Sequence, residues 1–196
     1  MRRSDHGDDL DADLEPLASR KIWDGRIVQL SLDTVRFPDG STGELEMIRH
    51  SGAAAVLPVL DPLTDPDPRI LLIHQFRYAA GGNLLEVPAG RPDRPGEPWA
   101  DCAQRELQEE TGYIAGELVP LTSILTTPGF TDERIHLFLA TDLRSGTTAR
   151  DRDEFMETVT LPISAAIDLI HDGMISDAKS ICALLFARRF QMRQRQ

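Results

Sequence analysis

A mixed α/β domain of the α+β type is what this sequence predicts, and three observations predict it. Short apolar runs bounded by Pro, Gly and Asp recur along most of the chain, the mark of strands. One strong helix signal stands in the middle, at residues 99–111, and two more stand at the end. The strands do not alternate strictly with helices, which argues against a doubly wound parallel sheet. With 196 residues, 41% apolar and 27% charged, the chain suits one globular domain able to bury a proper core.

Residues 1–19, MRRSDHGDDLDADLEPLAS, are polar and acidic, and a flexible tail is expected there. Asp9, Asp11 and Asp13 imitate the start of a calcium loop. That loop needs Gly at its sixth place and Glu at its twelfth, where Leu14 and Arg20 stand. Residues 26–37 and 42–50 read as strands joined at Pro38-Asp39-Gly40, a hairpin signal. Residues 53–60 and 69–76 read as a second hairpin across the turn-rich DPLTDPDP, and 84–88 as a short strand. Further strands are expected at 116–125, 135–141 and 157–161. Pro162 and Ser164 start a short helix that stops before Asp172-Gly173. Ser176 or Asp177 caps the last helix, whose buried face is expected at Ile181, Leu184, Leu185 and Phe190.

The middle helix carries the chemistry. Pro98 suits a first turn, Gly112 suits the left-handed residue that closes a helix, and Ala100, Ala103 and Leu107 form an apolar stripe. Glu106 lies three residues before Glu109 and four before Glu110, so all three share one face. Three carboxylates so placed repel one another and destabilise a bare helix. The arrangement makes sense around a hard cation, since Mg²⁺ is bound by carboxylate oxygens together with substrate phosphates. The bland alternative is a solvated surface helix with Arg105 paired to Glu109.

The pattern extends beyond a charge run. Gly90, Glu97, Arg105, Glu106, Glu109, Glu110 and Gly112, with Leu107 and Tyr113 at apolar places, stand where the Nudix box has its fixed residues. The chain resembles the Nudix hydrolases, which cut nucleoside diphosphates linked to another group. One departure is visible: six residues separate Gly90 from Glu97 where the usual box has five. The extra residue falls in the Pro-rich loop 91–96, which absorbs an insertion at small cost. The resemblance implies the Nudix fold, a mixed β-sheet sandwiched between helices, over residues 51–196. Residues 20–50 would then be the N-terminal β extension of the ADP-ribose pyrophosphatase branch.

That branch is suggested by four stretches. Pro128, in Thr127-Pro128-Gly129-Phe130-Thr131-Asp132-Glu133, lies sixteen residues after Gly112, the spacing that marks this branch, although Pro-Gly also simply makes a turn. His74-Gln75-Phe76-Arg77-Tyr78, Leu85-Glu86-Val87-Pro88-Ala89-Gly90 and the C-terminal residues 176–180 are similar to it too. The resemblance implies Mg²⁺, with Mn²⁺ able to substitute, held by Glu106, Glu109 and Glu110 with the backbone carbonyl of Ala89. It implies substrate contacts at Gln75, Arg77, Glu86, Pro128 and Glu133. A guanidinium matches phosphate bidentately, which makes Arg77 the candidate for that grip; a plain surface Arg at a strand end is the equal alternative. Glu109 and Arg105 belong with the catalytic group, Arg105 as the residue that orients the acidic cluster. By the same resemblance the general base is expected from the acidic loop 150–157, at Glu154 first and Glu157 second, with Glu133, outside that loop, a distant third.

The expected reaction is metal-dependent hydrolysis of ADP-ribose to AMP and ribose 5-phosphate. GDP-mannose or another sugar nucleotide is the rival substrate, because specificity lies in side chains that stack the base and reach the distal sugar. A non-catalytic Nudix ligand sensor is disfavoured by the intact glutamates. A net charge of −11 argues against nucleic acid or an anionic membrane as partner, and so against a decapping enzyme. No apolar run approaches the roughly 18 residues of a membrane span, and no secretory h-region opens the chain. Cys102 and Cys182 have no metal spacing and are expected reduced, as in a cytoplasmic protein. The hairpin at 26–50 has an edge and an apolar face that need covering. A C₂ homodimer is expected, its site including residues such as Trp23 or Arg49.

Overall fold

The computed structural model describes residues 15–147 and 156–192. The N-terminal strands are β1 (Ala18–Asp24), β2 (Gln29–Arg36) and β3 (Thr42–Arg49). Next come β4 (Ala53–Pro58), β5 (Arg69–Arg77), β6 (Gly82–Glu86), the two-residue β7 (Ala89–Gly90) and helix α1 (Trp99–Thr111). After it follow β8 (Tyr113–Ile114), β9 (Glu117–Leu125), β10 (Arg134–Thr141), β11 (Arg144–Ser145) and β12 (Met156–Pro162). Helices α2 (Ile163–His171) and α3 (Ala178–Phe186) close the chain, with a π-helical turn at Ala187–Gln191.

The chain divides into two compact units. One runs through His50 and takes in Thr127–Asp132; the other comprises Ser51–Thr126 and the chain from Glu133 onward. In the first, β1, β2 and β3 pair antiparallel in that order. The turn after β2 is the one expected: Gly40 N–H donates to Phe37 O at 2.9 Å, and the Asp39 carboxylate accepts from Ser41 N–H at 2.9 Å. Strand β1 was not legible, because ASRKIWD shows no alternation and every residue in it is exposed. It begins at Ala18, inside the stretch expected as tail. The Thr127–Asp132 segment joins β3 by a parallel bridge, Ile48 to Thr131, with Ile48 N–H donating to Phe130 O at 2.7 Å.

The second unit is organised around β4. Its residues AAAVLP are buried throughout, and a strand covered on both faces reads as a continuous apolar run. It pairs parallel with β10, from Ala53 opposite Ile135 to Pro58 opposite Ala140. The sheet order is β7-β4-β10-β9, and β9 and β7 pair antiparallel, so the sheet is mixed. Ala54, Val56, Phe138 and Ala140 on one face pack with Cys102, Ala103 and Leu107 of α1. Ala53, Ala55, Leu57, Leu137 and Leu139 on the other face belong to the core that includes Ala183 and Leu184 of α3. The mixed sheet therefore lies between helices, as expected.

A second sheet has the order β12-β5-β6. The expected hairpin of residues 53–60 with 69–76 is a correction. Those strands sit in different sheets, and only one bridge, Val59 to Ile70, survives of it. The doubly buried β4 takes the long-range partner β10 that covers it, and the DPLTDPDP loop is too long to impose a tight two-residue turn.

At the C-terminal end Asp177, not Ser176, caps α3, accepting from Ser180 N–H at 3.0 Å. The buried face of α3 is also corrected: Lys179, Ser180, Ala183 and Leu184 face inward, followed by Ala187. Leu184 is as expected, Ile181 is half-buried, and Leu185 and Phe190 are exposed. Spacings of three and four place Ser180, Ala183, Leu184 and Ala187 on one stripe, and Leu185 points off it. In α1, likewise, Cys102 joins Ala103 and Leu107 inside while Ala100 is exposed.

Candidate active site

Helix α1 forms where its local signals place it. Pro98 precedes it in an extended conformation, and Gly112 ends it with φ 76°, donating its N–H to Gln108 O at 2.8 Å. Only Gly adopts that left-handed geometry without steric cost. Trp99 at the helix start stacks on His136 of β10, ring centroids 4.2 Å apart. The helix is thus pinned at its first residue and along its Cys102–Ala103–Leu107 stripe.

Its acidic face is organised by one cation. Arg105 donates from Nη1 to Glu106 at 2.7 Å and to Glu109 at 2.9 Å, and from Nη2 to the Arg91 carbonyl at 2.7 Å. It also pairs with Glu97 at 3.4 Å and Asp93 at 3.2 Å. Burial works to lower the Arg105 pKa, but the hydrogen bond to Glu97 and the charge of Glu106 outweigh it and hold the guanidinium firmly charged. Glu97 reaches this position despite the extra loop residue. It accepts from Asp93 N–H at 2.9 Å, and that bond, with Arg105, lowers its pKa.

The two innermost glutamates are well buried, Glu106 at 8% and Glu110 at 1% exposure. A carboxylate hidden from water needs compensation, and Glu110 takes part of it from the Ala89 N–H at 3.0 Å. Ala89 therefore lies beside Glu110 through its N–H. Gly90 is glycine for a spatial reason: a β-carbon there would fall on the Glu106 carboxylate. Cys102, buried beside Glu106, has its thiol pushed up to about 12 by burial and then by that charge, so it is a packing residue.

Do these side chains fit a divalent cation? Among the described residues no three acidic, His or Cys side chains form a ready-made cage. Mg²⁺ does not ask for one, since it is held by one or two carboxylates plus waters and substrate phosphates. Two buried carboxylates four residues apart on one helix face, with Glu109 beside them, supply the right donor chemistry. They carry more negative charge than Arg105 cancels.

The second polar cluster lies on the sheet β12-β5-β6. Arg77 grips Glu86 with both ends, Nε to Oε1 at 2.7 Å and Nη2 to Oε2 at 3.2 Å. Glu86 is 1% exposed, and Lys179 Nζ also donates to its Oε2. Burial works to lower the Arg77 pKa; the Glu86 hydrogen bond and the charges of Glu86, Glu110 and Asp177 raise it overall. Gln75 is buried on β5 with its Oε1 unpaired among the described residues. Register sets Gln75 opposite Leu84 and Met156, and Glu86 opposite Ile73. Side chains two apart on a strand share a face, so Ile73, Gln75, Arg77 and Glu86 lie on one side of this sheet.

The remaining candidates are dispersed. Glu157 is exposed and opposite His74, so it points to the other side of that sheet from Gln75 and Arg77. Glu133 accepts from Thr126 Oγ at 2.9 Å, next to the start of β10. Pro128 is the second residue of a turn in which Phe130 and Thr131 N–H both donate to Thr127 O at 3.1 Å; it belongs to the N-terminal unit. Arg49, in the same unit, pairs with buried Asp33 and with Asp132, and Trp23 is 64% exposed. Glu154 lies outside the described residues. A cleft of about 450 Å³ runs along α1 past Asp101, Gln104, Arg105, Gln108, Glu109 and Thr147. It borders the carboxylate cluster without containing Glu106 or Glu110.

Sequence reasoning missed Lys179 and Ser180. Ser180 Oγ accepts from Val87 N–H at 2.8 Å, and both residues reach across 93 positions to the strand that enters the box. The Asp177 cap and the resemblance of residues 176–180 singled out this segment, but neither pointed to Glu86 or Val87.

Comparison with known proteins identifies the family. The NUDIX domain pattern matches residues 50–184. An ADP-ribose pyrophosphatase of Bacillus subtilis (strain 168) is 36% identical over 172 residues, covering 87% of this chain and 90% of that protein. A GDP-mannose pyrophosphatase of Yersinia enterocolitica is 38% identical over 132 residues, covering 63% of this chain and 68% of the relative. A crystal structure of an ADP compounds hydrolase shares the fold, with TM-score 0.75 at 24% identity, over 90% of this chain and 92% of that one.

Proposed function

Since the chain belongs to the Nudix family of hydrolases, we propose that it hydrolyses the pyrophosphate bond of ADP-ribose to give AMP and ribose 5-phosphate, with Mg²⁺ as cofactor and Mn²⁺ as a substitute. The observation that carries this reading is the juxtaposition of opposite charge. Arg105 leaves an excess of carboxylate on α1, while Arg77, within reach of the charge of Glu110, presents a cation to solvent. An anionic pyrophosphate bridged to those carboxylates by a divalent cation satisfies both. Nudix hydrolases generally use divalent metals.

Glu106 and Glu110 would hold the cation, with Glu109 and the Ala89 carbonyl completing the set. When bound, it supplies neutralisation of the phosphates and activation of water. Arg105 fixes the rotamers of Glu106 and Glu109. Arg77 grips a phosphate with the guanidinium edge that Glu86 leaves free, so Glu86 serves binding through Arg77. Gln75 stays a candidate substrate contact, its amide oxygen buried and unpaired among the described residues. Glu154 is the first choice as general base. The orientation of Glu157 on β12 makes it a weaker second, and Glu133, bonded to Thr126, stays third.

ADP-ribose is preferred because the relative of that name matches 87% of the chain. The match to the GDP-mannose enzyme covers a smaller part, which supports GDP-mannose as the second reading. A substrate panel with Mg²⁺, resolving products by chromatography, separates them. A higher kcat/KM for ADP-ribose than for GDP-mannose and ADP-glucose is expected; preference for the guanine compound overturns the choice.

We also propose that the enzyme acts in the cytoplasm, where free cysteines such as Cys102 and Cys182 persist. In the same reading it is a C₂ homodimer formed by residues 20–50, without nucleic-acid or membrane partners. The N-terminal sheet exposes Ile22, Trp23 and Leu45, and exposed apolar side chains on an edge sheet call for cover. Light scattering at micromolar concentration should give twice the chain mass; a fully active monomer would remove the dimer.

A further inference from the structure

Glu86 is a carboxylate only 1% exposed, and two cations share it. Arg77 approaches from β5 and Lys179 from the first turn of α3. Lys179 is itself 9% exposed and lies 3.1 Å from Asp177, the α3 cap. Ser180, the next residue, accepts from Val87 N–H, so the start of α3 is buttoned to the segment Glu86–Val87 at two adjacent points. Arg77, by contrast, keeps 40% of its side chain exposed.

We infer that Lys179 is a positioning residue for Arg77, acting through Glu86. A guanidinium paired with a carboxylate of its own is neutralised and attracts an anion weakly. Lys179 takes a share of the charge of Glu86, so the outer edge of Arg77 stays positive toward a ligand. The bidentate contact meanwhile fixes the plane of the guanidinium, as a fork matching carboxylate geometry does. Lys179 also holds Glu86 in one rotamer; a buried carboxylate with a single partner would turn toward water. The backbone button at Ser180 and Val87 makes α3, far away in sequence, the support on which this pair rests.

The inference rests on the reading that Arg77 grips a substrate phosphate, and the test separates the two. Lys179→Met keeps the apolar stem and removes the charge. It should raise KM for ADP-ribose about tenfold with a smaller change in kcat, the pattern of lost uniform binding. Lys179→Arg should restore most of the loss. In an Arg77→Met background, adding Lys179→Met should change KM by less than about twofold, because residues acting through one another are not additive. A packing role alone would leave the two effects additive. Independently of substrate, the Arg77 Nε–H signal in nitrogen NMR, identified by its absence in Arg77→Met, should move and exchange faster in Lys179→Met. Lys179→Gln replaces Lys179→Met throughout should the latter not fold. Additive KM effects, or an Arg77 signal unchanged in the Lys179 variant, overturn the inference. If Arg77→Met leaves KM unaltered, the phosphate grip fails, and the NMR signal still decides whether Lys179 positions Arg77.

Discussion

Arg105 and Glu86 sit at the centres of two ion-pair clusters built on different plans. Around Arg105 one cation faces four carboxylates, those of Asp93, Glu97, Glu106 and Glu109. Around Glu86 one buried carboxylate is shared by two cations, Arg77 and Lys179, and Lys179 also pairs with Asp177. The first cluster is short of positive charge; the second is balanced overall but turns one half-exposed cation, Arg77, outward. The difference shows why a single cation per cluster does not explain either one. Arg105 fixes the shape of an acidic site without neutralising it, as the proposed metal site requires. Glu86 fixes the plane of Arg77 while leaving 40% of that side chain exposed, as the proposed phosphate grip requires. Structural ion pairs would be balanced one to one, as Arg69 is with Asp61 on the loop before β5.

The comparison breaks most sharply at the innermost carboxylate. Glu110→Gln keeps the acceptor for Ala89 N–H, so the fold should survive. Removing one charged ligand should lower kcat by about 10⁴, since metal assistance is worth several kcal/mol. Circular dichroism and initial rates on the same sample check both halves. Next in size is the proton transfer. Glu154→Gln should lower kcat about 10³-fold with little change in KM and with metal binding intact. Gln variants at 133 and 157 should stay near wild type; collapse at either one moves the base.

How much of this was readable in advance follows from distance along the chain. Helix α1 was legible because its signals are local: Pro98, Gly112 and a period read at Ala100, Ala103 and Leu107, of which Ala100 proves exposed and Cys102 takes the inner place. Glu106, Glu109 and Glu110 followed from spacing alone. The turn after β2 was legible for the same reason. The β4–β5 hairpin was misread because its strands prefer partners far off, β10 and β12, and no local residue announces that. Lys179 was invisible as a partner of Glu86, since nothing in DAKS points across 93 residues. Thr127–Asp132 was recognised as a motif, yet its attachment to β3 through Ile48 could not be read from its own residues.

Smaller effects sharpen the contrast between clusters. Arg105→Gln leaves four carboxylates without their cation and should destabilise the protein by roughly 3 kcal/mol. Millimolar Mg²⁺ should return part of that stability, seen as a rise in melting temperature larger than in wild type; no such rise would mean the acidic face does not take metal. Arg77→Met should raise KM about thirtyfold with kcat changed less, and should leave the Mg²⁺ effect on melting unaltered. The balanced pair serves as the control. Asp61 is held at about 2, below its ordinary value, by its hydrogen bonds from Arg69. A carboxylate whose folded pKa is depressed stabilises the fold above its unfolded pKa and loses that contribution as pH falls. The melting temperature of Asp61→Asn should therefore lie slightly below wild type at pH 6 and converge with it as pH falls from about 4 toward 2. Its activity should be unchanged.

One measurement tests the central claim most directly. Purified protein, stripped of metal, is incubated with ADP-ribose, and the products are resolved by phosphorus NMR with and without Mg²⁺. The account predicts no turnover without metal and, on adding Mg²⁺, equal amounts of AMP and ribose 5-phosphate with loss of the pyrophosphate signals. Undiminished hydrolysis in the stripped protein, or an intact pyrophosphate after Mg²⁺ is restored, would contradict it.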